Sequence, residues 1–248
     1  MKLDNVIATR DRKTVYRSEN KSIKLFEAGY SKADILNEAL NQSRIEETSL
    51  NIPHVLEVTT VDGRWAIVSE FIEGSPLSEL MAENSEKKAE YIDLLVDIQL
   101  KVYKETCPLL NRLRDKLGRK LAESDFDATT RYALYNRIEA LPRRNNICHG
   151  DLTPSNIIIA EDGTPFIIDW SHAALGNECA DVARTYILLM LSDGTDTARL
   201  YLDVFCEKSS TDRQRILEWL PIVAAALSAE QPDTDPELIE RLVNGKEY

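Results

Sequence analysis

Between Asn5 and Phe71 apolar and polar residues alternate in short runs, NVIAT, TVYRS, SIKLF, HVLEVTT and WAIVSEF, separated by the polar stretches RDRK, SEN and DGR. Alternation with a period of two marks strands with one buried face, and short polar turns between them mark antiparallel neighbours. One segment breaks the series, SKADILNEALNQSRIEET. It opens on Ser31 and Asp34, a capping-box-like pair, and then sets Ile35, Glu38, Gln42 and Ile45 on one helical face. The expectation is a small antiparallel sheet crossed by one helix.

After EGSP, Glu73 to Pro76, the apolar spacing changes to three and four. Helices are expected over residues 86–103, 111–121, 125–140, 179–191, 195–207, 211–230 and 236–243. The runs 156–160 and 165–170, joined by the turn EDGT, are the only strand signal in this half. No internal repeat or low-complexity segment is present. The stretch EFIEGSP is therefore the one hinge candidate, dividing a strand-rich lobe, residues 1–72, from a helix-rich lobe, residues 73–248. The fold class expected is α+β.

Composition narrows the function classes. A chain of 248 residues with 43% hydrophobic content can bury a substantial core. Its formal charge of -12 disfavours nucleic acid as a partner. The N-terminal MKLDNVIATRDRK is too charged for a signal peptide, and no apolar run approaches membrane-spanning length, so a cytoplasmic protein is expected. Cys107, Cys148, Cys179 and Cys206 show no CxxC spacing. They read as reduced, packed thiols rather than zinc ligands or a disulfide framework.

One stretch resists a purely structural reading. ICHGDLTPSNIII, residues 147–159, sets His149, Asp151 and Asn156 just ahead of a run of isoleucines, although Asp and Asn are costly to bury unpaired. A tight hairpin would bring Asn156, at the start of its first strand, near Asp169, at the end of the second strand in FIIDW. An amide oxygen and a carboxylate meeting there, with Asp151 shortly before them, suit a hard divalent cation that keeps some waters. For Mg²⁺ the missing ligands would be substrate phosphates.

HGDLTPSN followed by IIDW resembles the catalytic core of the aminoglycoside phosphotransferase and choline kinase group of the protein-kinase-like superfamily. In that group HGDxxxxN and a later Asp stand where protein kinases carry HRDxxxxN and DFG. The resemblance extends over most of the chain and implies a two-lobed protein-kinase-like fold. It implies an ATP- and Mg²⁺-dependent kinase that transfers the γ-phosphate to a hydroxyl of a small molecule, an aminoglycoside-like, choline-like or sugar acceptor. By the same resemblance Lys24 reaches the α and β phosphates, and Glu38 is its helix partner, ahead of Glu46 and Glu47. The backbone at Glu70 and Ile72 in SEFIEG holds adenine, and Ile168 is also counted among the nucleotide-binding residues. Asp151 orients the acceptor hydroxyl, Asn156 and Asp169 bind Mg²⁺, and Asp181 in ADVART braces the catalytic loop. The helical stripe supports Glu38 independently, because it shares a face with Ile35 and Ile45.

These residue types fit the chemistry. Phosphoryl transfer passes through a loose transition state, so the protein must align donor and acceptor and neutralise charge, with no strong nucleophile required. There are departures from the kinase pattern. The turn TRDRKT, residues 9–14, has no glycine, so the glycine-rich phosphate lid of protein kinases is absent. No GxxxxGK[ST] occurs, which excludes a P-loop enzyme. Gln99 stands where many relatives carry a histidine. Cys148, Trp170, Tyr186, Tyr201 and Trp219 read as structural, His54 as structural or exposed rather than a ligand, and His172 as structural ahead of substrate-contacting. Asp193, Asp196, Asp203 and Glu207 suit either a cationic acceptor or solvent.

Two other classes stay open. An atypical protein serine/threonine kinase would need an activation segment between Asp169 and Asp181, where only WSHAALGNECA stands. A catalytically silent binding module on the same fold would be expected to lose Asp151, Asn156, Asp169 or Lys24, and all four are present.

Overall fold

The structure is a computed structural model describing residues 3–10 and 12–245. Its chain divides into two compact units. The first holds the residues up to Ser85 together with Pro154–His172, and the second holds Glu86–Thr153 and the residues from Ala173 onward. The sequence places one cut at residue 72; the first unit also takes in the later segment, which hydrogen bonds explain below.

In the first unit β1 (Asn5–Arg10), β2 (Lys13–Ser18), β3 (Lys21–Phe26), β4 (Val55–Val61) and β5 (Arg64–Glu70) form an antiparallel sheet in the order β1-β2-β3-β5-β4. Between β3 and β4 runs α1 (Lys32–Ile45), whose first turn is capped by Ser31 Oγ accepting from the Asp34 N–H at 3.3 Å. The expected stripe is observed, with Ile35, Glu38, Gln42 and Ile45 all buried. Period-two alternation gives β3 two buried faces. Ile23 and Leu25 pack with Ala66 and Val68, while Phe26 packs with Ile67 and with Ile35 and Ala39 of α1. Lys24 projects on the α1 face.

A second, three-stranded sheet in this unit joins Gly74–Pro76, Ile157–Ala160 and Pro165–Ile167. Gly74 is required by close approach, since a Cβ there would lie 2.2 Å from Ile159 O. Ile167 N–H donates to Asn51 O at 2.9 Å and Asn51 Nδ2 donates to Pro165 O at 3.3 Å, which ties the hairpin to the unit. After Pro76 follows the short α2 (Leu77–Glu83).

The second unit is mostly helical: α3 (Lys88–Val102), α4 (Leu113–Glu123), α5 (Ala128–Ala140), α6 (Glu178–Ser192), α7 (Thr195–Ser209), α8 (Arg213–Leu217), α9 (Leu220–Glu230) and α10 (Pro236–Val243). At its centre α9 is apolar all round, and LPIVAAAL is buried throughout, packed on α4, α6 and α10. The single helix expected over 211–230 is two. Pro221, which lacks an N–H, sits in the first turn of α9, where that loss costs nothing, so the break falls just before it. The hairpin is also not the only strand structure beyond residue 73, because Gly74–Pro76 joins it and Asn146–Cys148 pairs with Ala174–Gly176. Three-residue strands are too short to show alternation. The result is an α+β chain with one unit built on antiparallel sheet and the other mostly helical, as the sequence predicts. Among the described residues, no helix is long and apolar enough to cross a membrane.

Candidate active site

The sheet of the first unit carries a buried charge cluster. Lys24 Nζ lies 2.5 Å from Glu38 Oε1 and 3.2 Å from Asp169 Oδ1, with all three side chains largely shielded from solvent. Burial alone would lower the Lys24 pKa, but the carboxylates of Asp169 and Glu38 outweigh it and hold the ammonium well above the usual lysine range. The converse holds for Asp169. Burial pushes its carboxyl up, yet Lys24, then Lys13, keep it far below the ordinary carboxylate range. Glu38 is thus the residue that meets Lys24. Glu46 instead accepts from the Val55 N–H at 2.8 Å and pairs with His54 at 3.2 Å, and Glu47 is exposed.

Asp169 reaches this cluster because the hairpin ends abruptly. The two strands were expected to run over 156–160 and 165–170, but they are Ile157–Ala160 and Pro165–Ile167. Asn156 closes a single 3-10 turn, and Trp170–His172 forms another. The cause is local. Ile168 N–H still donates to Asn156 O at 3.0 Å, but Asp169 adopts φ +61°, a left-handed conformation that no strand continues through. Such conformations cost on the order of 1 kcal/mol and concentrate at functional sites. Asn41 of α1 donates to Ser171 O at 3.3 Å, and the buried Trp170 donates from Nε1 to Ile167 O at 3.2 Å, which fixes the turn from two sides.

Asn156 and Asp169 therefore leave adjacent strand ends, as the sequence expects. The donor set fits Mg²⁺. Asp169 Oδ1 is buried and accepts no well-aligned hydrogen bond, and it belongs to a carboxylate held ionised. Among the described residues no group of three or more His, Cys, Asp or Glu side chains could hold a metal unaided.

The loop bearing Asp151 is built in the second unit. Asp181, in the first turn of α6, accepts from the Gly150 N–H at 2.7 Å, the His149 N–H at 3.2 Å and the Tyr103 hydroxyl at 3.0 Å. Asp151 N–H donates to His149 Nδ1 at 3.1 Å, so the buried imidazole keeps that nitrogen unprotonated. Gly150 takes φ +79°, which this sharp reversal requires. Arg184, one turn along α6, is buried against Glu230 at 2.6 Å; burial opposes its charge, but Glu230 and then Asp151 stabilise it.

Glu70 ends β5 with its N–H donated to His54 O at 3.0 Å, and Ile72 lies two residues beyond. Gln99 is buried in α3, donating to Thr185 Oγ1 at 3.4 Å and accepting from the Tyr201 hydroxyl. It is a core residue. The sequence left out Lys13 and Tyr103, which stand beside Glu38 and Asp181, and Arg184, whose charge Asp151 helps to stabilise. Only Lys13 had a readable signal, because strand register alone puts it on the face of Lys24.

The family model described as "Phosphotransferase enzyme family" matches residues 8–219. Solved structures similar to the chain include an aminoglycoside-3'-phosphotransferase of type VIII, with TM-score 0.66, 16% identity, and coverage of 90% of this chain and 93% of that one. Choline kinase LicA from Streptococcus pneumoniae has TM-score 0.65 and 14% identity, covering 99% and 93%. The aminoglycoside phosphotransferase APH(3'')-Id from Streptomyces rimosus, in complex with ADP and streptomycin, has TM-score 0.62 and 19% identity, covering 86% and 90%. At these identities the likeness is one of fold. Comparison with curated proteins gives no match.

Proposed function

Because the chain belongs to the phosphotransferase enzyme family, we propose that it transfers the γ-phosphate of ATP to a hydroxyl of a small molecule, with Mg²⁺, in the cytoplasm. The observation that carries this reading is the contact chain Glu38–Lys24–Asp169, in which one ammonium is held charged between two carboxylates. In this reading residues 1–72 bind nucleotide, with Lys24 on the α and β phosphates and the backbone of Glu70 and Ile72 on adenine; Ile168 lines the same pocket. Residues 73–248 supply the catalytic loop and the acceptor site. Asn156 and Asp169 would hold Mg²⁺, which would supply charge neutralisation at the nucleotide phosphates.

Asp151 orients the acceptor hydroxyl. Its oxygen forms the new bond to the γ-phosphorus while the bond from that phosphorus to the β–γ bridging oxygen breaks, ADP departs, and the hydroxyl proton passes to the Asp151 carboxylate. The hydrogen bonds that the His149 and Gly150 N–H groups donate to Asp181 fix the backbone on the N-terminal side of Asp151, so its carboxylate is held ready with little freedom to lose.

The decisive measurement is ATP consumption, read as ADP release, against a panel of aminoglycosides, choline, ethanolamine, sugars and homoserine, with serine and threonine peptides as a parallel arm. Turnover with one member of the small-molecule panel is expected. Use of peptides alone would replace this reading with that of a protein kinase, and binding of ATP without any turnover would favour a silent binding module.

A further inference from the structure

We propose that Lys13 is a second phosphate-binding cation of the nucleotide site and replaces, with one side chain, the backbone N–H groups that a glycine-rich lid would supply. The proposal deepens the kinase reading and rests on it.

Strand register places the residue. In the β2–β3 pair Val15 lies opposite Lys24 and Lys13 opposite Phe26. Residues two apart on a strand, and residues directly opposite across a pair, share a face. Lys13, Val15, Lys24 and Phe26 therefore all face α1. There Lys13 Nζ lies 3.4 Å from Glu38 Oε2, while Lys24 takes Glu38 Oε1 at 2.5 Å. The Lys13 stem is fixed rather than trailing in solvent. Its side chain is only 19% exposed, and its ammonium stands 5.7 Å from the Phe26 ring centre and 5.6 Å from that of Tyr30.

Charge balance shows what Lys13 adds. Lys24, Glu38 and Asp169 together carry one net negative charge, in a protein whose formal charge is already -12. Such a site repels a polyphosphate. Lys13 brings the quartet to neutrality. An ammonium has three donors, and the single long contact to Glu38 engages one of them. The turn beside it, TRDRKT, has no glycine, so its backbone lacks the residue that usually permits close approach to phosphate. A long side chain rooted at the end of that turn reaches instead.

The test is calorimetric affinity for ATP, ADP and AMP, each with Mg²⁺, in the full chain and in Lys13→Gln and Lys13→Arg. For Lys13→Gln the loss is expected to grow with phosphate number, on the order of tenfold for ATP and within twofold for AMP, the scale of one charge-assisted hydrogen bond. Lys13→Arg should restore most of the ATP affinity. Equal losses for ATP and AMP, or a Lys13→Gln protein that melts like wild type and binds ATP within twofold of it, would overturn the proposal and leave the kinase reading standing. A folded wild-type chain that binds none of the three would overturn both. If Lys13→Gln is unstable, Lys13→Met, which removes the charge but keeps an apolar stem beside Phe26 and Tyr30, takes its place, and equal losses for ATP and AMP in it would overturn the proposal.

Discussion

Single residues divide the proposed chemistry into separable parts. Asp169 sits in the Lys24 cluster and Asp151 on the loop braced by Asp181. Asp169→Asn is therefore expected to weaken Mg²⁺-dependent nucleotide binding and to end transfer. Asp151→Asn is expected to leave nucleotide affinity within about twofold while transfer falls on the order of a hundredfold or more, as when a positioned acid–base group is lost. Calorimetry with and without Mg²⁺, beside turnover on the acceptor, separates the two; the reverse pattern would dismiss both assignments. A different residue sets a pH dependence of stability. Lys116 in α4 is lowered to about 8 by burial, offset by Glu230 and reinforced by Arg184 and Arg119. Between about 8 and its ordinary 10.5 the unfolded chain binds the proton and the folded chain does not, so stability rises with pH through that window. Below it the half-buried ammonium costs stability. Lys116→Met is expected to raise the melting temperature at pH 7 by about 2–4 °C, the shift that ~1 kcal/mol gives in a chain of this size, and to lose that advantage by pH 10.5. Melting curves of the pair across this range check the sign.

At the level of elements, the parts that position the site depend on how helices and strands begin and end. Asn177 caps α6, its Oδ1 accepting from the Cys179 N–H at 2.9 Å while its Nδ2 donates to Pro142 O at 3.0 Å. Asn177→Ala removes the cap and the bond to Pro142 O, and should cost about 0.5–2 kcal/mol in chemical denaturation. Asn177→Asp should recover the cap alone. Since Asp181 lies in the first turn of that helix, turnover is expected to fall with Asn177→Ala even at temperatures where the variant is fully folded. The long elements were legible because their periodicity is unambiguous. The strands of the sheet, α1 with its Ser31 cap, and the stripe through Ile35 and Glu38 could all be read directly. What escaped was short or set by tertiary contact. Three-residue strands show no alternation, the break at Pro221 sits inside a continuous apolar run, and the end of the hairpin at Ile167 follows from one left-handed residue, Asp169. For the site, HGDxxxxN and the later Asp marked the loop and the strand end. Arg184 and Tyr103 carry no local motif and become visible only through their partners Glu230 and Asp181.

For the whole molecule, the proposed function predicts thermodynamic linkage. A ligand that binds only the folded state stabilises it by mass action, by about 2.7 kcal/mol at a hundred times its Kd. ATP with Mg²⁺ is thus expected to raise the melting temperature by roughly 5–10 °C at that saturation, and to do so far less in Asp169→Asn. No shift at millimolar ATP-Mg²⁺ would speak against a working kinase. The division of the chain into units has a further consequence, which lies in time. The first unit is assembled from two stretches, the residues up to Ser85 and Pro154–His172, with Glu86–Thr153 between them belonging to the other unit. A ribosome delivers residues in order at about 5–20 per second. The sheet and α1 are complete while Gly74–Pro76 still waits for Ile157–Ala160, and Lys24 has Glu38 but not yet Asp169. The carboxylate that would anchor the metal is thus the last charge to join its cluster. A nascent chain stalled at Thr153 carries Lys13, Lys24 and Glu38 without Asp169, so under the proposed function it would gain its Mg²⁺-nucleotide site only when the hairpin has emerged and closed.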